Sequence, residues 1–215
     1  MNIHIRSISS LSLLVLSLGS CVSESATAPK PPPGMFAMNA RAEGISILAL
    51  EPGHPEYFNP EVSFWATVGE DTQGVIYFRG NEDPTKRGEA YARLRVRPGS
   101  LLAYPDGRLF APGDSVLISM RVVDPDHFLL EMQPSGLRFS TSRPAELRIE
   151  YAHADSDYND DGDVDDEDKA TQHGMNIWQQ EEPGEPFVTA ASMNLEDIHE
   201  LKAQVFTFSR FAIAY

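Results

Sequence analysis

The chain has 215 residues, 41% of them hydrophobic, so it is long and apolar enough for the core of one domain or two small ones. Its formal net charge is −15, from 32 acidic and 17 basic residues, which argues against a nucleic-acid partner because binding a phosphate backbone needs clustered Lys and Arg. A single Cys excludes an internal disulfide framework and a zinc site built from several thiolates.

The first 20 residues have the pattern of a secretory signal peptide. Met1–Arg6 carries one certain positive charge, and Ile8–Leu18 is an apolar run broken only by serines. A helix needs about 20 residues to span a bilayer, so this run is too short to be a membrane span. It matches the length and the flanks of a signal peptide's apolar region, and we assign residues 1–20 to such a peptide.

The apolar run ends in Leu18-Gly19-Ser20-Cys21, which resembles the lipobox of bacterial lipoproteins. The resemblance implies cleavage before Cys21, a diacylglycerol on its sulfur and an acyl chain such as palmitate on the new amino terminus. Several acyl chains hold a protein stably on a membrane, where one is marginal. The alternative is an ordinary signal peptide with an incidental Cys. Because the only Cys stands at the lipobox position, we expect a membrane anchor on Cys21.

The residues after Cys21 predict where the domain sits. Val22 and Ser23 lack the Asp that favours inner-membrane retention in enteric bacteria, so the lipoprotein resemblance implies the outer membrane of the cell envelope.

Small polar residues and a proline run fill residues 21–42, which we expect to form an extended tether. Met35–Ala42 could belong to this tether or to the start of the domain, which we assign to residues 43–215.

From residue 44 onward the chain is predicted to consist of short strands separated by turns. Tyr91–Arg97 is apolar at 92, 94 and 96 and charged at 93, 95 and 97, which is the period of a strand with one buried face. Turn signals such as Pro105-Asp106-Gly107 separate about a dozen such segments. This pattern predicts an all-β fold, an antiparallel sandwich or barrel, and we expect the sandwich. Short helices are predicted at Asp166–His173 and Leu195–His199.

The second half of the domain resembles a known β-sandwich. Pro134-Ser135-Gly136-Leu137-Arg138-Phe139 and Pro144–Tyr151 match the "P-x-G-L-x-F … P-x-x-L-x-I-x-Y" pattern of the ZU-five domain, over about residues 90–215. That domain occurs in ankyrins, netrin receptors and bacterial lipoproteins. Some animal members cut themselves before the Ser of a His-Phe-Ser triplet. Here the triplet is Thr207-Phe208-Ser209, so the base is missing, and we expect Phe208 in the core and Ser209 in solvent.

An acidic stretch over residues 155–168 carries more than half of the net charge. Its last twelve residues, 157–168, have the order of a calcium loop, with a Gly at position 6 where the turn needs a positive φ. Calcium suits the pattern because it is a hard cation that takes 6 to 8 oxygen ligands. The predicted Ca²⁺ ligands are Asp157, Asn159, Asp161, the backbone carbonyl of Asp163, Asp165 through water, and Asp168 at position 12.

The loop resembles the bacterial dockerin type, in which position 12 is often Asp. No helix enters it, because Leu147, Ile149 and Tyr151 alternate as in a strand. We therefore expect a calcium loop and one short helix inserted between sandwich strands. Dockerin's second repeat is missing, so a cohesin partner is not expected. The alternative is a solvated acidic loop that binds nothing specific.

The sequence gives no positive sign of catalysis. It lacks a G-x-S-x-G elbow, a phosphate-binding glycine loop and a dinucleotide fingerprint. His199-Glu200 begins like a zinc-protease helix, but Ala203 replaces the second His. His54, His127, His153 and His173 are isolated, and each is expected to be a surface or a satisfied side chain. We expect no catalytic residue.

The resulting functional prediction is a non-enzymatic, lipid-anchored binding or structural module of the cell envelope, with structural calcium and an envelope protein or glycan as partner. One alternative is a carbohydrate-binding or adhesion module, which needs exposed aromatics on one face. Trp65 and Trp178 are instead expected to pack in the core, because they lie on strands. The other alternative is a hydrolase, which needs carboxylates converging in a cleft near the loop.

Overall fold

A computed structural model describes residues 44–159, 161–182 and 184–215. The predicted signal peptide, Cys21 and the predicted tether, including Met35–Ala42, lie outside these residues. Within them the chain forms thirteen strands and one α-helix. The strands are β1 (Glu61–Thr67), β2 (Thr72–Arg79), β3 (Arg87–Val96), β4 (Leu101–Ala103), β5 (Ser115–Asp124), β6 (Leu129–Gln133), β7 (Arg138–Phe139), β8 (Ala145–Glu150), β9 (Asn176–Gln180), β10 (Val188–Thr189), β11 (Ser192–Leu195), β12 (Glu200–Val205) and β13 (Arg210–Ala214). Helix α1 (Asp166–Gly174) lies between β8 and β9.

The strands form two large antiparallel sheets and one small one. The six-stranded sheet has the order β1-β5-β6-β13-β9-β10, and the five-stranded sheet has the order β11-β12-β8-β3-β2. Strands β4 and β7 pair separately. The all-β antiparallel fold with one inserted helix, expected from the sequence, is therefore confirmed.

The main core is built by residues that alternate along strands of both sheets. Val116, Ile118 and Met120 of β5 belong to the same buried cluster as Leu147 and Ile149 of β8. Side chains on a strand point alternately to its two faces, so one set of each strand is buried and the other faces outward. Strand β3 follows the predicted pattern: residues 92, 94 and 96 are at most 1% exposed.

The turn after β6 leads into the short strand β7. Gly136 has φ +78°, a conformation that glycine adopts without steric cost, and the Leu137 N–H donates to the Pro134 carbonyl at 3.2 Å. Leu137 and Phe139 are buried, and the Phe139 ring packs against the Phe208 ring with centroids 4.9 Å apart. This turn therefore places apolar residues of two separate segments in one core.

A second apolar cluster covers the outer face of the six-stranded sheet. Ala212 and Ala214 alternate with core residues of β13 and pack here with Ile45 and Ile47. Ile47 bridges to Ala214, and the Leu48 N–H donates to the Ile213 carbonyl at 2.9 Å. The chain is therefore part of the domain from residue 45 onward.

Three local expectations are wrong. Trp65 is 61% exposed rather than in the core, because Phe64 and Ala66 take the inward positions of edge strand β1. Ser209 is buried rather than solvated, and its carbonyl accepts the Met132 N–H at 3.0 Å. The helix expected at 195–199 is only a single 3-10 turn, Glu196–Ile198. For Trp65 and Ser209, contacts with strands distant in sequence decide which side chains are covered.

Candidate functional site

The acidic loop connects strand β8 to helix α1, so the predicted strand-loop-helix order is confirmed. The helix begins where Asp165 caps it: its carboxylate accepts the Glu167 N–H at 2.7 Å. The first turn contains Asp166, Glu167 and Asp168, whose negative charges favour the amino-terminal end of a helix. The same acidic residues that predicted a cation loop therefore also start the helix.

The first three predicted ligands lie around one tight turn. The Asp161 N–H donates to Asp157 Oδ1 at 3.1 Å and to Asn159 Oδ1 at 3.0 Å. The Gly162 N–H donates to Asp157 Oδ2 at 2.9 Å, and Gly162 has φ +93°. Asp161 Oδ1 accepts the Asp163 N–H at 2.9 Å. Predicted positions 1, 3 and 5 are thus brought together by backbone N–H groups.

Asp168 closes the loop at its other end. Its carboxylate is buried, with Oδ1 accepting the N–H groups of Tyr158 at 2.7 Å and Asn159 at 3.3 Å. Oδ2 accepts the Asp165 N–H at 2.9 Å, and this hydrogen bond is the largest cause of a lowered Asp168 pKa. An ionised carboxylate has about four lone-pair sites. Three of them are used, so Asp168 holds the loop to the helix chiefly through the backbone.

The remaining predicted ligands, Asp163 and Asp165, are exposed. Among residues 44–159, 161–182 and 184–215, no group of three or more His, Cys, Asp or Glu side chains is arranged to hold a metal ion. The predicted ligand set also includes the Asn159 amide and the backbone carbonyl of Asp163. Calcium binding stays a prediction, with an all-oxygen donor set that has the chemistry of a hard-cation site.

One side chain anchors the loop to the sandwich. Tyr158, at loop position 2, is buried in the main core cluster, and burial raises its pKa to about 12. Its ring lies edge-on to the Tyr215 ring, with centroids 6.3 Å apart, and the Tyr215 hydroxyl donates to the Tyr158 carbonyl. The loop is therefore part of the folded domain on its core side, while residues 161–167 are exposed.

We expect Asp168→Asn to lower the melting temperature by several degrees at neutral pH. The amide nitrogen of Asn cannot accept a hydrogen bond, so a backbone N–H that the carboxylate now accepts would lose its partner. Because the folded pKa of Asp168 is lowered, its contribution is present above the unfolded value of about 4 and is lost as pH falls through the folded value. When melting temperatures are measured from pH 7 to pH 2, the melting temperature of the variant should therefore fall less with decreasing pH than that of the wild type.

The control for this comparison is Asp166→Asn. Asp166 also has a lowered pKa, caused mainly by a hydrogen bond from Lys169, but its side chain is exposed. Exposed ion pairs contribute little, so this variant should melt close to the wild type. Equal melting temperatures for both variants would show that Asp168 does not close the loop.

The sequence did not predict a charge cluster on the outer face of the five-stranded sheet. Glu146 accepts hydrogen bonds from Arg97 and Arg148, each at 2.8 Å, and pairs with Lys202 at 2.9 Å. Burial alone would raise the Glu146 pKa, but the bonds from Lys202 and Arg148 lower it to about 2. The alternation of apolar and charged residues in Tyr91–Arg97 predicted that Arg97 faces outward. Its partner Glu146 lies about fifty residues further along the chain, so no local pattern in the sequence indicated the ion pair.

Two of the isolated histidines, His153 and His173, have polar partners, as expected. His153 Nδ1 lies 2.9 Å from Glu51 and Nε2 lies 3.3 Å from Glu89. His173 Nδ1 lies 2.7 Å from Glu196. These contacts tie neighbouring segments together and leave the ring nitrogens of His153 engaged on both sides.

Comparisons with known proteins give the chain no relative. No protein-family model matches it. No curated protein matches it. No solved structure matches it. In the described part of the chain, no helix combines the length and the apolar character that crossing a membrane requires.

Proposed function

We propose that the chain is a non-enzymatic, lipid-anchored β-sandwich of a bacterial cell envelope, placed at the outer membrane through Cys21. In this proposal the loop 157–168 holds a structural calcium ion, and the domain binds an envelope protein or a glycan. The observation that carries it is the loop itself: a twelve-residue oxygen-rich segment fastened to the sandwich by Tyr158 and to α1 by Asp168.

The chemistry of the loop supports calcium over other ions. Its donors are carboxylates, an amide and a carbonyl, and hard cations prefer oxygen ligands. The turn at Gly162 gathers Asp157, Asn159 and Asp161, and crowded carboxylates repel one another when no cation is near. Calcium is plentiful outside cells, so an affinity of about 10⁻⁴–10⁻³ M is sufficient there.

The two carboxylates that fasten the strands and the loop, Glu146 and Asp168, have structural roles. A general acid or base works best with a pKa near the operating pH. Glu146 has a pKa of about 2, and the Asp168 pKa is also lowered, so both stay ionised at neutral pH. Their hydrogen bonds hold strands and the loop together, which is a structural task.

The anchor is tested by replacing Cys21 with Ala. We expect the wild type to sediment with membranes and to incorporate radioactive palmitate, because its acyl chains insert into the bilayer. The Cys21→Ala variant should lose the label and move to the soluble fraction. Ser25→Ala, in the predicted tether, is the matched control and should behave as the wild type. A wild type that takes up no palmitate and fractionates like Cys21→Ala would overturn the anchor.

A further inference from the structure

Three cationic side chains lie side by side across the outer face of the five-stranded sheet. Lys202 of β12 is in register with Arg148 of β8, and Arg148 is in register with Arg93 of β3. Neighbouring strands are about 4.8 Å apart, so the row extends about 10 Å. Like charges directly opposite one another destabilise a sheet, so this row needs compensating negative charge.

The protein supplies only part of that charge. Glu146 is shared among Arg97, Arg148 and Lys202, and Glu200 also pairs with Arg148 at 3.1 Å. Arg93 interacts electrostatically with Glu150, but among the residues that the structure describes it has no carboxylate within 4.0 Å. Arg143 donates to the Pro98 carbonyl at 3.2 Å. Two of the cations near this row are therefore left without an ion pair in the described part of the chain.

The same cations line two hollows that meet at Glu146. One, of about 110 Å³, is lined by Gln73, Arg93, Arg95, Glu146 and Arg148. The other, of about 510 Å³, has Arg97, Arg143 and Lys202 in its wall, with Ser142 and Gln204 beside them. We call the six cations Arg93, Arg95, Arg97, Arg143, Arg148 and Lys202 the basic face.

The basic face contrasts with the rest of the molecule. It holds six of the 17 Lys and Arg residues of a chain whose formal charge is −15. Neutral side chains that can bind hydroxyl groups lie between its cations, namely the amides of Gln73 and Gln204 and the hydroxyl of Ser142. The large apolar side chains Val75 and Met193 lie at the two ends of the cation row and not at its centre.

We propose that the basic face binds an acidic oligosaccharide, a sugar chain with carboxylate or sulfate groups. Arg93 and Arg143 bind its anionic groups, and Gln73, Gln204 and Ser142 bind its hydroxyls. Charge-assisted bonds from guanidinium to carboxylate or sulfate are the strong polar contacts available here. A protein partner would need a larger apolar centre than this face offers. This inference deepens the proposed binding role by naming the ligand class and the face.

The test uses labelled dextran sulfate oligomers, with neutral dextran of equal length as the control ligand, followed by fluorescence polarisation. The wild type should bind the sulfated oligomer and not the neutral one, and affinity should fall as salt rises. The Arg93→Gln/Arg143→Gln variant should bind about tenfold more weakly. Asp71 pairs with Arg95 at the rim, so Asp71→Asn should bind about twofold more tightly.

The matched control is Lys86→Gln/Arg138→Gln, which removes the same charge from exposed side chains outside the basic face. It should change the affinity less than twofold. If both double variants weaken binding equally, the loss of affinity reflects net charge alone, and the proposal of a binding site on the basic face is wrong. If polyglutamate binds as tightly as dextran sulfate, the ligand class is an acidic peptide and the proposal of a sugar is wrong. If binding requires calcium, the binding site is the loop 157–168 and the proposal of the basic face is wrong. Neither result tests the membrane anchor.

Discussion

Replacing Tyr158 with Ala is expected to lower the free energy of unfolding by about 3 kcal/mol. The ring is buried in the main core cluster and packs against Tyr215, so its removal leaves a cavity between the loop and the sandwich. It also loosens the segment whose N–H groups Asp168 binds. Urea unfolding of both proteins in a chelator, without calcium, measures this effect separately from any bound ion.

Tyr158→Phe is the control for this prediction. It keeps the ring and removes only the hydroxyl, so a change of at most about 1 kcal/mol is expected. Should Tyr158→Ala unfold at the same urea concentration as Tyr158→Phe, the loop would not be fastened to the core through this side chain.

Calcium at about 10 mM is expected to raise the melting temperature of the wild type by about 3–10 °C. For a dissociation constant of about 10⁻⁴–10⁻³ M, binding to the folded state alone contributes about 1.4–2.7 kcal/mol. The ion would offset the repulsion among the crowded carboxylates of the loop. Differential scanning calorimetry with calcium, and with a chelator, measures the difference.

The Asp157→Ala/Asp161→Ala variant should melt at the same temperature with and without calcium. Both residues are predicted ligands whose oxygens lie at the Gly162 turn. The matched control, Asp106→Ala/Asp197→Ala, removes the same charge outside the loop and should keep the calcium shift. A shift of equal size in both double variants would mean that calcium acts on the overall negative charge.

The sequence predicted the elements whose pattern is local. Strand β3 was identified because its apolar and charged residues alternate, and the buried set is the one expected. The helix predicted at Asp166–His173 is α1, and it ends at Gly174, a residue type that commonly stops helices. The loop turn was identified because Gly162 provides the positive φ that the sixth position needs.

Features that depend on distant pairing were missed. Trp65 lies on a strand with several apolar neighbours, and only its pairing with the exposed Leu117 of β5 shows that its side chain faces solvent. The basic face joins Arg93, Arg148 and Lys202 from three strands that are adjacent in the sheet but far apart in the chain. Strand order is set by tertiary contacts, so no local pattern could reveal it.

The most direct test of the account is a calcium titration of the protein by isothermal titration calorimetry. The account predicts one calcium ion per wild-type chain, with a dissociation constant of about 10⁻⁴–10⁻³ M. It also predicts no binding in the same range by Asp157→Ala/Asp161→Ala and wild-type binding by Asp106→Ala/Asp197→Ala. Absence of binding by the wild type, or equal binding by both double variants, would contradict a calcium site at residues 157–168.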